Sequence, residues 1–98
     1  MSYLVLCMFD LRNANRDDYK YVYLDLAEIG LRRSVKSDGG PSFQLPGVTV
    51  MGTMDGRTVE EVRTRVAKSV QGIFKTRSVR GEFFVVVSSD WACAGEAT

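Results

Sequence analysis

The chain has 98 residues, a formal net charge of +1 and 45% apolar content. This is the make-up of one globular domain, not of a disordered, fibrous or strongly basic segment. There is no histidine, which excludes His-based acid–base catalysis, Ser-His and Cys-His nucleophile pairs, and nearly every zinc site. A chain this short buries about 60–65% of its unfolded surface, so its core is thin and burial against a partner would add to it.

An apolar run from Tyr3 to Phe9 opens the chain and ends on a carboxylate, Asp10. The run is too short to cross a membrane as a helix and fits a strand, Ser2 to Asp10, buried on both faces. It lacks a basic leader and meets Asp10 too early for a secretory signal. No other stretch suits a bilayer, so no membrane association is expected. Cys7 and Cys93 have no metal-ligand spacing and, without a signal, point to a reducing cytoplasm.

Asn13 to Arg16 form a polar loop, and Asn15 followed by Asp18 marks a helix start. From Arg16 to Gly30, the residues Tyr19, Val22, Tyr23, Leu26 and Ile29 share one helical face at about 100° per residue. Gly30 is placed to stop that helix, and the two tyrosines read as core and rim packing. Leu31 to Lys36 is a short basic strand in which Arg32 and Arg33 point to opposite faces. Ser37 to Pro41 is a turn. Phe43 to Pro46 is ambiguous, and Gly47 to Met54 resumes a strand, with a connection long enough for a flap.

Asp55 to Thr58 turns the chain, and Thr58 with Glu61 forms a capping box. The second helix runs from Val59 to about Lys75, with Val59, Val62, Val66, Val70 and Ile73 as its apolar stripe. After a loop over Thr76 to Gly81, Phe83 to Val87 is a fourth strand. The tail from about residue 88 is weakly patterned apart from Trp91.

This order predicts an α+β, ferredoxin-like βαββαβ plait over a single domain, 1–98: a four-stranded antiparallel sheet with two helices on one face. The first and last strands carry apolar residues on both sides, yet helices can cover only one. A second copy of the chain is the expected cover, giving a homodimer; the Trp91 tail folding back is the alternative.

Six basic residues and no acid lie between Arg63 and Arg80: Arg63, Arg65, Lys68, Lys75, Arg77 and Arg80. They form either a solvated helix surface or a phosphate-facing patch. Arg12 and Arg16, just after Asp10, suit bidentate phosphate contact. Asp10 itself has two readings. It caps the amides of Arg12 or Asn13 as an Asx turn, or it holds a hydrated magnesium or manganese ion, two copies meeting across a dimer axis. Asp90, in an antiparallel pairing, would lie far from Asp10 and is given no role.

Phe9-Asp10 at the end of a short apolar strand, in this element order, resembles the small CRISPR-associated endoribonucleases and their relatives. Within that superfamily the first helix, Tyr19-Lys20-Tyr21-Val22-Tyr23-Leu24-Asp25-Leu26, resembles GhoS-type antitoxins. The resemblance implies a dimeric ferredoxin-like fold and metal-dependent or sequence-selective RNA cleavage, with some members binding nucleic acid without cutting it. Asp10 matches the strand-end acid of the CRISPR-associated group, whose following Arg-rich region is reduced here to Arg12 and Arg16. A dimeric RNA-associated protein is therefore expected, with metal-dependent hydrolysis at Asp10 and RNA contacts from Arg12, Arg16, Arg65, Lys68, Lys75, Arg77 and Arg80. The alternative is a non-catalytic dimeric module for a protein or nucleic-acid partner.

Overall fold

A computed structural model describes residues 1–36 and 42–94. The elements are β1 (Ser2–Leu11), α1 (Arg16–Glu28), β2 (Ser34–Lys36), β3 (Ser42–Gln44), β4 (Thr49–Asp55), α2 (Val59–Thr76) and β5 (Gly81–Ser88). Three strands form an antiparallel sheet in the order β4-β1-β5, and β2 pairs antiparallel with β3 in a separate ribbon. The turn expected at 37–41 lies outside the described residues.

Side chains alternate along β1 as strand geometry requires. Tyr3, Val5, Cys7, Phe9 and Leu11 are buried, and they form one cluster with Val22 and Leu26 of α1 and Val62, Val66, Val70 and Phe74 of α2. Both helices therefore pack on the same sheet face. Phe74 joins the expected stripe of α2 as a buried member, while Ile73 is only partly covered. Phe9 is the hub of the aromatic packing, with ring centroids 5.4 Å from Tyr23, 6.1 Å from Phe74 and 6.2 Å from Tyr19. Burial pushes the Cys7 thiol up to about 11, so at neutral pH it stays an inert, protonated core group.

The first and last strands are not buried on both faces. On the side away from the helices, Leu4 and Leu6 are half-buried, Met8 is 44% exposed, and Phe84 and Val86 of β5 are 64% and 43% exposed. The Trp91 side chain is itself 44% exposed and does not close that face. The molecule measures 37 × 37 × 18 Å, a thickness suited to one sheet and one layer of helices.

The helix termini follow their sequence signals. Asn15 Oδ1 accepts the Asp18 amide at 2.9 Å and Asp18 Oδ2 accepts the Asn15 amide at 3.1 Å, a reciprocal capping box. At α2 the expected Thr58–Glu61 box is half formed among the described hydrogen bonds: Thr58 Oγ1 accepts the Glu61 amide at 3.1 Å. At the end of α1, Gly30 takes φ +94°, its amide donates to Ala27 O, and the Leu31 amide donates to Leu26 O. That is a Schellman stop on the left-handed conformation glycine tolerates best.

The strand expected over Leu31–Lys36 does not join the main sheet, which has three strands among the described residues rather than four. Among the described residues its backbone pairs with the main sheet only at Arg32, which exchanges two hydrogen bonds with Met51 at 3.0 and 2.9 Å. Gly52 makes this approach possible, because a Cβ there would overlap the Gly30 carbonyl. Beyond Arg32 the chain pairs locally instead, Ser34–Lys36 with Ser42–Gln44. Val35 is the lone apolar residue of that three-residue strand, too little surface to hold it along β4 against a pairing closer in sequence. Among the described residues, no helix is long and apolar enough to cross a membrane.

Candidate nucleic-acid interface

Asp10 is the next-to-last residue of β1, exposed, with its backbone paired to Glu82 of β5. Partners in such a pair put their side chains on the same face, Cβ atoms roughly 4.5–5.5 Å apart. The Asp10 and Glu82 side chains thus leave the same face at this end of the sheet, with one Asp10 oxygen turned to Tyr19. The Asx-turn reading of Asp10 is replaced by a different arrangement: the Arg12 amide donates to the Arg80 carbonyl at 2.8 Å, and Asp10 Oδ1 accepts the Tyr19 hydroxyl at 2.9 Å. The same hydroxyl accepts the Leu11 amide at 3.1 Å.

The reason lies in the register. The β4 pairing of β1 stops at Met8–Thr49, with one further bond from the Phe9 amide to Val48 O. The next donor on that edge, the Leu11 amide, has no strand beside it, and a tyrosine from α1 satisfies it. Tyr19 thereby fixes both the strand end and the carboxylate.

Gly81 allows the opposite edge to close, since a Cβ there would overlap the Asp10 carbonyl. Asp10, Arg12, Arg80 and Glu82 are consequently gathered by β1–β5 pairing. Asp90, just past the far end of β5, lies beyond the Leu4–Ser88 pair, well away from Asp10.

Arg16 lies elsewhere, in a groove of about 870 Å³ between α1 and the segments 32–34 and 47–48. Lys20, Arg32 and Arg33 line the same groove, as do Tyr19 and Tyr23, and among the described residues no acid does. The Arg33 guanidinium sits 4.1 Å from the Tyr23 ring centroid, a cation–π contact. Burial pushes the Tyr23 hydroxyl up from its ordinary range, with the Arg33 charge opposing.

The basic residues along and just after α2 differ in their surroundings. Arg65 donates to the Asp55 carbonyl at 2.5 Å and, with Lys68, shares a shallow depression with Glu60 and Glu61. Lys75 is exposed in the last turn. Arg77 is already engaged: its Nε and Nη2 donate to the two Asp25 oxygens at 2.6 and 2.8 Å, and its guanidinium lies 5.1 Å from the Tyr21 ring centroid. This bidentate pair ties the end of α2 to α1.

Hydrogen bonding from Arg77 holds the Asp25 carboxyl below its ordinary value. A depressed folded-state value means the tie stabilises the fold above the unfolded carboxylate range, near pH 3.9, and is lost as pH falls through the folded value. Asp25→Asn should therefore lower the urea midpoint at pH 7, and the gap from wild type should close as the pH is taken below about 3.9. The pair is solvent-facing, so high salt should also shrink the gap.

No family, curated protein or solved structure matches this chain. The site is therefore read from its own geometry. From sequence, Tyr23 is a packing residue and Arg32 and Arg33 point to opposite faces of a strand, whereas all three line this groove with Lys20; neither Lys20 nor Glu82 has a site role in the sequence reading. One signal was present for the helix: Arg16 and Lys20 stand four apart, interleaved with Tyr19 and Tyr23, so that basic and aromatic groups share a helix side. Among the described residues, no group of three or more Asp, Glu, Cys or His side chains is arranged to hold a metal.

Proposed function

We propose that this chain is a ferredoxin-like plait that pairs with a second copy through its helix-free sheet face and binds RNA. The observation that carries the reading is the gathering of Arg12 and Arg80 beside Asp10, joined through Tyr19 to a groove lined by cations and tyrosines. The sheet order β4-β1-β5, with Arg32 bridging to β4, supports the plait. Its outer strand is reduced to that single bridge. Apolar side chains left bare on the opposite face support the dimer. Cys7 and Cys93 are both free thiols, in keeping with a reducing cytoplasm, which is the compartment we propose.

Binding is tested by fluorescence anisotropy of a labelled single-stranded RNA over a range of salt. The logarithm of affinity should fall with the logarithm of salt, each neutralised phosphate adding about 0.7 to the slope. Arg12→Glu with Arg80→Glu should weaken every RNA sequence alike, whereas Arg77→Gln should change binding far less because Asp25 already holds Arg77. No RNA binding by wild type would remove the reading, leaving a protein partner as the occupant of these surfaces.

A second reading, metal-dependent RNA hydrolysis, is favoured by the Asp10–Glu82 juxtaposition. Magnesium retains several waters and needs only one or two carboxylates, so this pair fits a loosely held ion. Asp10 Oδ2 and the Glu82 carboxylate would hold it, and the ion would supply charge neutralisation at the phosphate and an activated water. Asp10→Asn keeps the oxygen that accepts the Tyr19 bond, so the fold should survive. It should abolish any magnesium- or manganese-dependent cleavage of the same RNA. Equal cleavage by both proteins would take Asp10 out of the chemistry, and cleavage by neither would leave binding alone.

A further inference from the structure

The groove beside α1 is set apart from the rest of the surface by what lines it. Arg16 and Lys20 rise from α1, Arg32 and Arg33 approach from the chain that follows Gly30, and the floor carries Tyr19 and Tyr23. With no acid among its described lining residues, the four cations add to the same field. Among the described residues, internal ion pairing is seen for Arg77 and not here. Arg33 is the exception in detail, because its guanidinium rests on the Tyr23 ring. That contact leaves the charge unneutralised and presents the other face of a planar group outward.

We propose that this groove is a binding track for single-stranded nucleic acid, in which Arg16, Lys20 and Arg32 take phosphates and a base stacks on the Arg33 guanidinium backed by Tyr23. The inference rests on the nucleic-acid reading above and names the site within it. A cationic groove interleaved with planar side chains is the arrangement that holds a single strand, since phosphates need charge and unstacked bases need flat partners. At about 870 Å³ the groove lies near the top of the roughly 300–1,000 Å³ range of small-ligand sites. It is concave, which suits a strand with splayed bases better than the convex backbone of a duplex. Tyr19 links the track to Asp10 through its hydroxyl, so a strand lying in the groove would end beside the carboxylate pair.

The test uses the full chain and a labelled single-stranded RNA, with DNA of the same sequence, the matching duplex and an oligoglutamate as further probes. Arg16→Gln, Lys20→Gln and Arg32→Gln together should reduce the salt slope by about 2, three phosphates at about 0.7 each. Arg33→Lys should leave the slope unchanged and weaken binding roughly 5- to 160-fold, the size of one lost stacking contact. Far-UV circular dichroism and the thermal midpoint check that both variants remain folded. Preference for either single strand over the duplex supports the track, and the RNA and DNA arms establish which is favoured. Unchanged affinity in both groove variants, with binding lost in the Arg12→Glu/Arg80→Glu protein, would overturn the track while leaving nucleic-acid binding intact. Duplex or oligoglutamate bound as tightly as the single strand would also overturn it. Absence of binding by wild type would overturn both readings together.

Discussion

Gly52→Ala and Gly81→Ala are each expected to lower stability by roughly 1–3 kcal/mol, the range for added volume where nothing can yield. At both positions the new methyl would run into a backbone carbonyl, that of Gly30 or that of Asp10, and backbone in a sheet or helix stop cannot rotate away as a side chain can. Gly72 is the control. It lies exposed inside α2 with open space where a Cβ would stand. Alanine there should raise stability by roughly 0.5–1 kcal/mol through helix propensity and a less flexible unfolded chain. Urea unfolding separates the cases. With slopes of roughly 1–3 kcal/mol per molar, the first two midpoints should fall and the third should rise. A Gly81→Ala protein as stable as wild type would show that β1 and β5 are not closely apposed beside Asp10. The candidate site would then lose the strand pairing that gathers it.

Phe84→Asp is expected to convert the proposed dimer to a monomer at micromolar concentration. The side chain is 64% exposed on the helix-free face, beside its cross-strand partner Met8, with Val86 on the same side. In a single chain a carboxylate there meets water and costs little. Against a second sheet packed roughly 10 Å away it would be desolvated without a partner, a penalty of several kcal/mol. A stable pair buries about 800 Å² on each side, and losing its most exposed aromatic together with that penalty should be decisive. Sedimentation equilibrium should give twice the 10.9 kDa chain mass for wild type and the single mass for the variant, with matching far-UV circular dichroism. A wild type that sediments as a monomer would remove the dimer.

These two results would also bear on how the site is built, because its parts differ in origin. Phe9 and Asp10 are adjacent, and strand alternation alone sends one into the core and the other outward. The tyrosine that holds Asp10 was assigned by helical periodicity to the packing face, and its ring does pack on Phe9. Its hydroxyl acts differently, because β4 begins too late to pair with the end of β1. No local pattern reports where a neighbouring strand begins. Arg77 illustrates the same point in reverse: in a run of basic residues it resembles a free cation, yet its partner Asp25 lies 52 positions away.

Sequence by itself determined the elements whose causes are local. The apolar run of β1, the Asn15–Asp18 cap, the Gly30 stop and the valine stripe of α2 all depend on residues within a turn or two of one another, so short-range spacing carries them. Tertiary structure alone decided three things: that residues 31–36 pair with the main sheet only through the Arg32 backbone, that Glu82 stands opposite Asp10, and that Arg32 and Arg33 meet Arg16 and Lys20 across one groove. Each depends on strand register and on close backbone approaches at glycine, contacts between residues far apart in the chain that arise only once both helices settle on the same face of the sheet.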